Sequence, residues 1–335
     1  MIRVLLQMLL GFVLYTVIEL PIGIHAQQIA DPNFNSSVDH PAYRRTHPTV
    51  VIDEAHSNFH TAEGRYKPFA DLLRSDGYQV LSGTKRFDKG ILRGVRVLVI
   101  SNAQAPDATD DFSGLAFTEQ ECDIVRDWVR AGGSLLLIAD HTPYGNAAEN
   151  LAQRFGVEMG KGFVLDLANS FDLPSSEPNP TFLMFSRSNG LLGHHPLLRG
   201  RNPSEQVQRV VAFTGQSLGV PRSATALLKL GPSAYESPSR SELEAALGID
   251  SKGGPSQTSV TGHAKAVADR AQGIAMKFGK GRVIVFGEAA MFSAQLIWFK
   301  EGEQQREFKM GMSVLGSDDR QLALNVLHWL SGLLN

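Results

Sequence analysis

The stretch Gly132-Gly133-Ser134-Leu135-Leu136-Leu137-Ile138-Ala139-Asp140-His141 decides the fold. Ser134 to Ala139 is a short, unbroken run of small and apolar residues, stopped by polar chemistry at one end and by a glycine pair at the other. Such a run is too short for a core helix and fits a parallel strand covered on both faces. Val95 to Ile100 repeats the pattern and ends at Ser101-Asn102. Between the two, Thr118 and Glu121 form a capping-box pattern ahead of a helix with Ile124, Val125, Trp128 and Val129 as its apolar stripe, and Gly132-Gly133 stops it. Strand, helix and strand at this spacing imply right-handed crossovers and a doubly wound, mostly parallel α/β sheet.

The same reading extends outward on both sides. Thr49 to Ile52 is a buried first strand ending in Asp53, followed by a helix over Lys67 to Arg74 with Pro68 in its first turn and Gly77 just past its end. Asn146 is placed to cap a helix carrying Leu151 and Phe155. Phe182 to Phe185, Val207 to Phe213, Ala224 to Leu230 and Ile274 to Phe278 read as short strands. Gly279-Lys280-Gly281 is a hairpin-type turn into Arg282 to Phe286, and the last helix spans Gln321 to Leu333. Residues 47–335 are therefore expected as one domain with loop insertions, the largest a polar surface insertion near residues 236–272. Residues 27–46 lack an apolar period and read as a flexible leader.

Residues 1–26 have the layout of a signal peptide: Arg3, an apolar run from Val4 to Ile18, then Ile24-His25-Ala26. The expectation is export to the periplasm or the exterior, with no membrane span in the mature chain. The formal net charge of -2 gives no electrostatic footprint for nucleic acid or anionic lipid, which leaves small molecules or proteins as partners. The single cysteine, Cys122, falls inside a predicted helix and has no intrachain partner for a disulfide.

In open parallel sheets, ligands bind outside the carboxyl ends of the strands. Here that edge is polar: Asp53-Glu54-Ala55-His56-Ser57-Asn58-Phe59-His60 follows the first strand, Asn102 the next long one, Asp140-His141 the third, and Gly287-Glu288 a late one. Taken singly, each of these residues reads equally as turn, cap or ion-pair chemistry. Taken together they describe a cleft with Asp53, His56, Asp140, His141 and Glu288 as candidate catalytic groups. Glu54, Asn58, His60, Asn102, Asn146 and Gln216 are candidate ligand-binding groups around them. His56, His60, Asp140 and His141 form a mixed nitrogen and oxygen donor set suited to zinc or manganese holding a nucleophilic water. A metal-free version uses His56 or His141 as general base, oriented by Asp53 or Asp140, with Glu288 as acid. No nucleophile elbow and no phosphate-cradling glycine loop is present in the sequence.

The Asp53-Glu54-Ala55-His56 strand end, the Gly-Gly-Ser-Leu-Leu-Leu-Ile-Ala-Asp-His segment and the closing Val285-Phe286-Gly287-Glu288-Ala289 strand resemble bacterial proteins of unknown function in the class I glutamine-amidotransferase-like superfamily. The resemblance covers about Thr49 to Leu334 and implies a flavodoxin-like fold. True amidotransferases of that superfamily carry a Cys at the elbow, where this chain has Asp140-His141-Thr142, so glutamine hydrolysis is not implied. Related branches, among them trehalose-utilisation-like domains and domains of gliding and ciliary transport proteins, also lack the triad and are thought to bind sugars or proteins. Two functions follow as expectations. One is an extracytoplasmic hydrolase acting on a carbohydrate or another polar small molecule, with or without a metal. The other is a noncatalytic carbohydrate- or protein-binding domain.

Overall fold

A computed structural model describes residues 27–106, 114–171, 179–246, 264–301 and 304–335. The expected signal peptide and residues 247–263 of the expected insertion lie outside the described residues. In chain order the strands are β1 (Gln27–Ala30), β2 (Thr49–Asp53), β3 (Gln79–Gly83), β4 (Val97–Ser101), β5 (Ser134–Ile138), β6 (Phe163–Asp166), β7 (Phe182–Ser186), β8 (Arg209–Phe213), β9 (Ala224–Lys229), β10 (Ala234–Ser237), β11 (Lys265–Ala266), β12 (Ala271–Phe278), β13 (Gly281–Phe286), β14 (Ala294–Glu301) and β15 (Gln304–Gly311). The helices are α1 (Lys67–Ser75), α2 (Glu119–Ala131), α3 (Tyr144–Gln153), α4 (Pro196–Arg199), α5 (Arg240–Ala246) and α6 (Asp319–Ser331).

Seven strands form the central sheet in the order β3-β2-β4-β5-β13-β12-β9. The first five are parallel, and β12 and β9 extend the sheet antiparallel. The fold is thus α/β with a mixed sheet. The three smaller sheets are antiparallel throughout, which departs from the expected mostly parallel arrangement. Connection length accounts for two of the antiparallel pairs: the turn at Gly279 joins β12 to β13 in the central sheet, β15 starts three residues after the end of β14, and links so short permit only antiparallel pairing.

Period-two alternation sorts each central strand between two cores. Val97 and Val99 of β4, Leu136 and Ile138 of β5, and Ile284 and Phe286 of β13 pack with Phe69 and Leu73 of α1 and Val326 and Leu330 of α6. Their neighbours Leu98, Ile100, Leu135, Leu137, Val283 and Val285 pack with Val125 and Val129 of α2 and Leu151 of α3. The sheet is therefore covered on both faces, as the uninterrupted apolar runs require. A third, smaller core joins Phe182, Val211 and Phe213 to Ile297, Phe308 and Met310 of the β14–β15 hairpin.

The capping box at Thr118 and Glu121 starts α2 as expected. The start of α3 is different: Pro143 is its N-cap and Asn146 lies inside the first turn. The segment 27–46 also departs from the flexible leader expected. Its first four residues pair with β14, the Ala42 N–H donates to Asp76 at 2.8 Å, and Phe34, Val38 and Tyr43 pack on the first core. These apolar residues are too widely spaced to show a period, but three of them suffice to dock a segment whose backbone already has partners. The expected insertion begins and ends inside the sheets, because Glu236 and Ser237 belong to β10 and Ala271 and Gln272 to β12.

The turn into β13 is built on a close approach to α2. A Cβ on Gly281 would lie 2.1 Å from the Gly133 carbonyl oxygen and 2.2 Å from that of Val129. Both oxygens belong to backbone, which cannot rotate away. Gly281→Ala is expected to destabilise the protein by about 1–3 kcal/mol, read as a lowered urea midpoint. An unchanged midpoint would show that the helix and the hairpin separate freely.

Candidate active site

The register of β5 and β13 pairs Ile138 with Phe286. Two residues further along each strand come Asp140 and Glu288, so two carboxyl groups emerge side by side at the carboxyl edge of the sheet. Glu288 is fully buried and its oxygens accept the N–H groups of Ala290 at 2.5 Å and Met291 at 2.9 Å. Asp140 accepts the N–H of His141 at 3.0 Å and also bonds the Ala289 N–H and the Asn102 side chain. Asn102 returns the contact, its Oδ1 accepting the Asp140 N–H at 2.9 Å.

These two groups line a cavity of about 60 Å³ together with His60, Asn102, His141, Tyr144 and Thr214, the rings of Phe59, Phe163 and Phe213, and Gln28, Gln295, Ile297 and Met310 from β1, β14 and β15. None of the lining residues is Lys or Arg. Burial raises the pKa of both carboxyl groups; for Glu288 the charge of Asp140 adds to the shift and carries it well above the ordinary carboxylate range. Two mutually repelling carboxyls in a dry site hold a proton between them more readily than two charges.

His141 stacks on Phe163, with ring centroids 4.1 Å apart. Its Nδ1 lies 2.8 Å from the Thr142 carbonyl oxygen. A carbonyl can only accept, so Nδ1 carries a proton and is spent on this contact. Nε2 has no hydrogen-bond partner among the described residues, and the nearest carboxylate oxygen is Asp140 Oδ1 at 3.9 Å. His60 is buried against Tyr66, with centroids 4.5 Å apart. Burial, reinforced by the charge of Arg65, pushes its pKa down to about 3, so it works as a neutral ring. Burial and the Asp140 charge push the Tyr144 hydroxyl up, which keeps it protonated.

Among the described residues, four other than glycine have positive φ: Ser57, Asn102, Lys161 and Thr214. Asn102 and Thr214 line the cavity, Ser57 lies in the segment that brings in Phe59 and His60, and the Lys161 carbonyl accepts the Thr142 N–H beside His141. Left-handed backbone outside glycine costs free energy and collects where side chains must be aimed.

The structure divides the expected site residues. Asp140, His141, Glu288, His60 and Asn102 share the cavity. Asp53 and His56 do not: His56 Nδ1 bonds Asp53 at 2.9 Å, Nε2 bonds Glu121 at 3.1 Å, and the ring is held between Phe87 and Phe117. Both ring nitrogens are engaged there, and His56 is absent from the cavity wall. The donor set expected for zinc or manganese is therefore not assembled, and among the described residues no three His, Cys, Asp or Glu side chains are placed to hold a metal ion.

The remaining expected ligand-binding groups support the site from behind. Glu54 accepts the Ala62 N–H and the Ser82 hydroxyl, and Asn58 accepts the His56 N–H. Gln216 donates to the carbonyls of Ala139 and Asp140 and accepts the Lys161 N–H. Asn146 is not part of the cavity wall. Glu121, Tyr144, Phe163 and the hairpin residues were not singled out in the sequence reading. Only Glu121 had a signal, its capping-box role, and that role concealed its contact with His56.

Compared with family models and with curated proteins, the chain matches none. It is similar to the solved structure of the mmIFT52 N-terminal domain, at 15% identity over 84% of this chain and 97% of that one, with a TM-score of 0.56. Other similar structures are the cytoplasmic protein STM3548 from Salmonella typhimurium, at 12% identity over 84% of this chain and 98% of that one with a TM-score of 0.43, and the exo-beta-1,4-mannosidase Op5Man5 from Opitutaceae bacterium strain TAV5, at 14% identity over 73% of this chain and 31% of that one with a TM-score of 0.33. The first likeness is one of fold alone, and the other two carry no argument.

The His56 clamp makes a directional prediction. Burial pulls its pKa down, but the hydrogen bonds and charges of Asp53 and then Glu121 outweigh that, leaving it above the ordinary 6.5. A raised folded-state pKa contributes stability that is complete below the unfolded value and is lost as pH rises through the folded one. The stability advantage of the wild type over His56→Gln is thus expected to be largest below about pH 6 and to shrink at alkaline pH. Urea unfolding across that range, with an NMR titration of the His56 ring, measures both. An NMR midpoint below 6.5 would contradict the clamp.

Proposed function

We propose that the cavity at Asp140, His141 and Glu288 is the working site of an extracytoplasmic, hydrolase-like protein acting on a small polar molecule of carbohydrate type. The observation that carries this reading is a pair of buried carboxyl groups beside an unpartnered imidazole Nε2, all facing one enclosed, aromatic-lined space. A purely structural core has little reason to retain such a set, because burying carboxyl groups without a cation costs free energy that an apolar core avoids. The parallel order β3-β2-β4-β5-β13, with helices on both faces, supports reading the fold as a doubly wound, flavodoxin-like sheet whose ligand edge is this one.

In this reading His141 Nε2 takes a proton from water as general base, the water oxygen bonds to the substrate carbon as the bond to the leaving oxygen breaks, and the protonated carboxyl of Glu288 gives that oxygen its proton. Phe163 and the Thr142 carbonyl hold the imidazole, Asp140 accepts a hydrogen bond from the substrate, Asn102 and the surrounding backbone N–H groups fix the carboxyls, and the rings of Phe59, Phe163 and Phe213 line the space. Binding without turnover is the second reading. It is favoured by one feature: among the described residues the wall contains no Ser, Cys or Lys, which leaves Thr214 and the two acids as candidate nucleophiles.

A panel of glycosides and related polar metabolites, assayed for turnover and by thermal shift, tests both. Hydrolysis should fall by about 10²-fold or more in His141→Ala, with a smaller loss in His60→Gln. A ligand that shifts the melting temperature of wild type and of His141→Ala alike, without product, selects the binding reading. No shift and no turnover anywhere in the panel would reject the site itself.

A further inference from the structure

Carboxyl oxygens dominate the polar lining of this cavity, beside the Thr214 hydroxyl and the rings of His60 and His141. Asp140 and Glu288 present carboxyl oxygens, and His141 presents Nε2, its Nδ1–H being spent on Thr142. The side-chain donors nearby are engaged elsewhere. The Gln28 amide donates to Gln295, and the Gln295 amide donates to Ser293. Asn102 bonds Asp140. The imidazole is 3% exposed, and its unpartnered Nε2 is a second feature, independent of the acids, that calls for a donor from outside the chain.

A hydroxyl brings one donor and two acceptor lone pairs, for which few donors are left here. A carboxylate or phosphate brings acceptors only. An alkylammonium brings three donors and no acceptor, and it supplies the positive charge that the wall lacks. Phe59, Phe163 and Phe213 present ring surface of the kind that attracts such a cation. The outer cation nearest this group is Arg65, whose guanidinium lies 3.9 Å from the Phe59 ring centroid and which is not part of the cavity wall. The cavity has room for an ammonium with its first carbon.

We propose that the group seated between Asp140, Glu288 and His141 is a protonated primary amine, so that the ligand is an amino sugar or amino alcohol with its body at the cavity mouth. This deepens the functional reading above and rests on the same cavity. The carboxyls hold the cation, and His141 Nε2 accepts one of its N–H groups.

Isothermal titration and thermal shift on the full chain at one pH test the assignment, using glucosamine, ethanolamine and methylammonium against glucose, N-acetylglucosamine and ethanol. The amines are expected to bind about tenfold or more tightly than their uncharged counterparts, and Glu288→Gln should remove that preference. Phe163→Leu, which leaves the carboxyls in place, should weaken the amines while preserving their lead. Glucose binding as tightly as glucosamine, with both lost in His141→Ala, overturns the amine assignment and leaves the cavity as the site. Failure of every probe to bind overturns both.

Discussion

Parallel pairing of β5 with β13 leaves no freedom about where Asp140 and Glu288 emerge. Ile138 and Phe286 are partners in the ladder, the Ala139 N–H continues it to the Phe286 carbonyl, and two residues on the carboxyl groups stand at one edge with apolar layers behind them. Much of the surrounding chain is arranged to make that placement tolerable. Five parallel strands aim their carboxyl ends at this edge, and the backbone N–H groups of Ala289, Ala290, Met291 and His141 turn toward the two carboxyls. Hydrogen bonds from fixed backbone compensate part of the lost hydration.

Support for the pair reaches outward in layers. Gln216, itself fully buried, ties the carbonyls of Ala139 and Asp140 to the N–H of Lys161, and so joins the end of β5 to the loop ahead of Phe163. Gly145 and Gly287 both lie so close to Gln216 that a Cβ on either would overlap it. On the other side the clamp of His56 between Asp53 and Glu121 anchors the segment that delivers Phe59 and His60, and Arg86 completes it with a bond to Glu121 at 2.9 Å. The clamp and the cavity are separate pieces of chemistry connected by four residues of chain.

The sequence reading located the edge and misjudged part of its membership, for identifiable reasons. Continuous apolar runs ending in Asn102 and Asp140 are legible because a doubly covered strand leaves no polar residue until it reaches solvent or a site. The capping box at Thr118 and the hairpin turn at Gly279 are legible because local geometry alone demands them. His56 and His60, four apart after one strand, look equivalent in sequence. Ser57 and its left-handed backbone send them in different directions, one into an acid clamp and the other into the cavity. Glu121 belongs to a distant helix, and nothing local marks it as the partner of His56.

The far wall of the cavity was the least legible part, and it explains how one edge of a common sheet becomes a closed compartment. Gln28, Gln295, Ile297 and Met310 come from β1, β14 and β15, a three-stranded antiparallel sheet that contributes nothing to the central one. Their pattern in the sequence is that of any half-buried hairpin, and its relation to Asp140 exists only through the third core, where Phe213, Ile297, Phe308 and Met310 pack. An open α/β edge exposes its ligand to water on one side. Closing it with apolar side chains lowers the local dielectric, which strengthens each interaction made inside and raises the cost of leaving a charge there unpaired. The hairpin and the carboxyl pair are therefore parts of one device: without the wall, Asp140 and Glu288 would be ordinary solvated acids, and without the acids the wall would enclose only an apolar void.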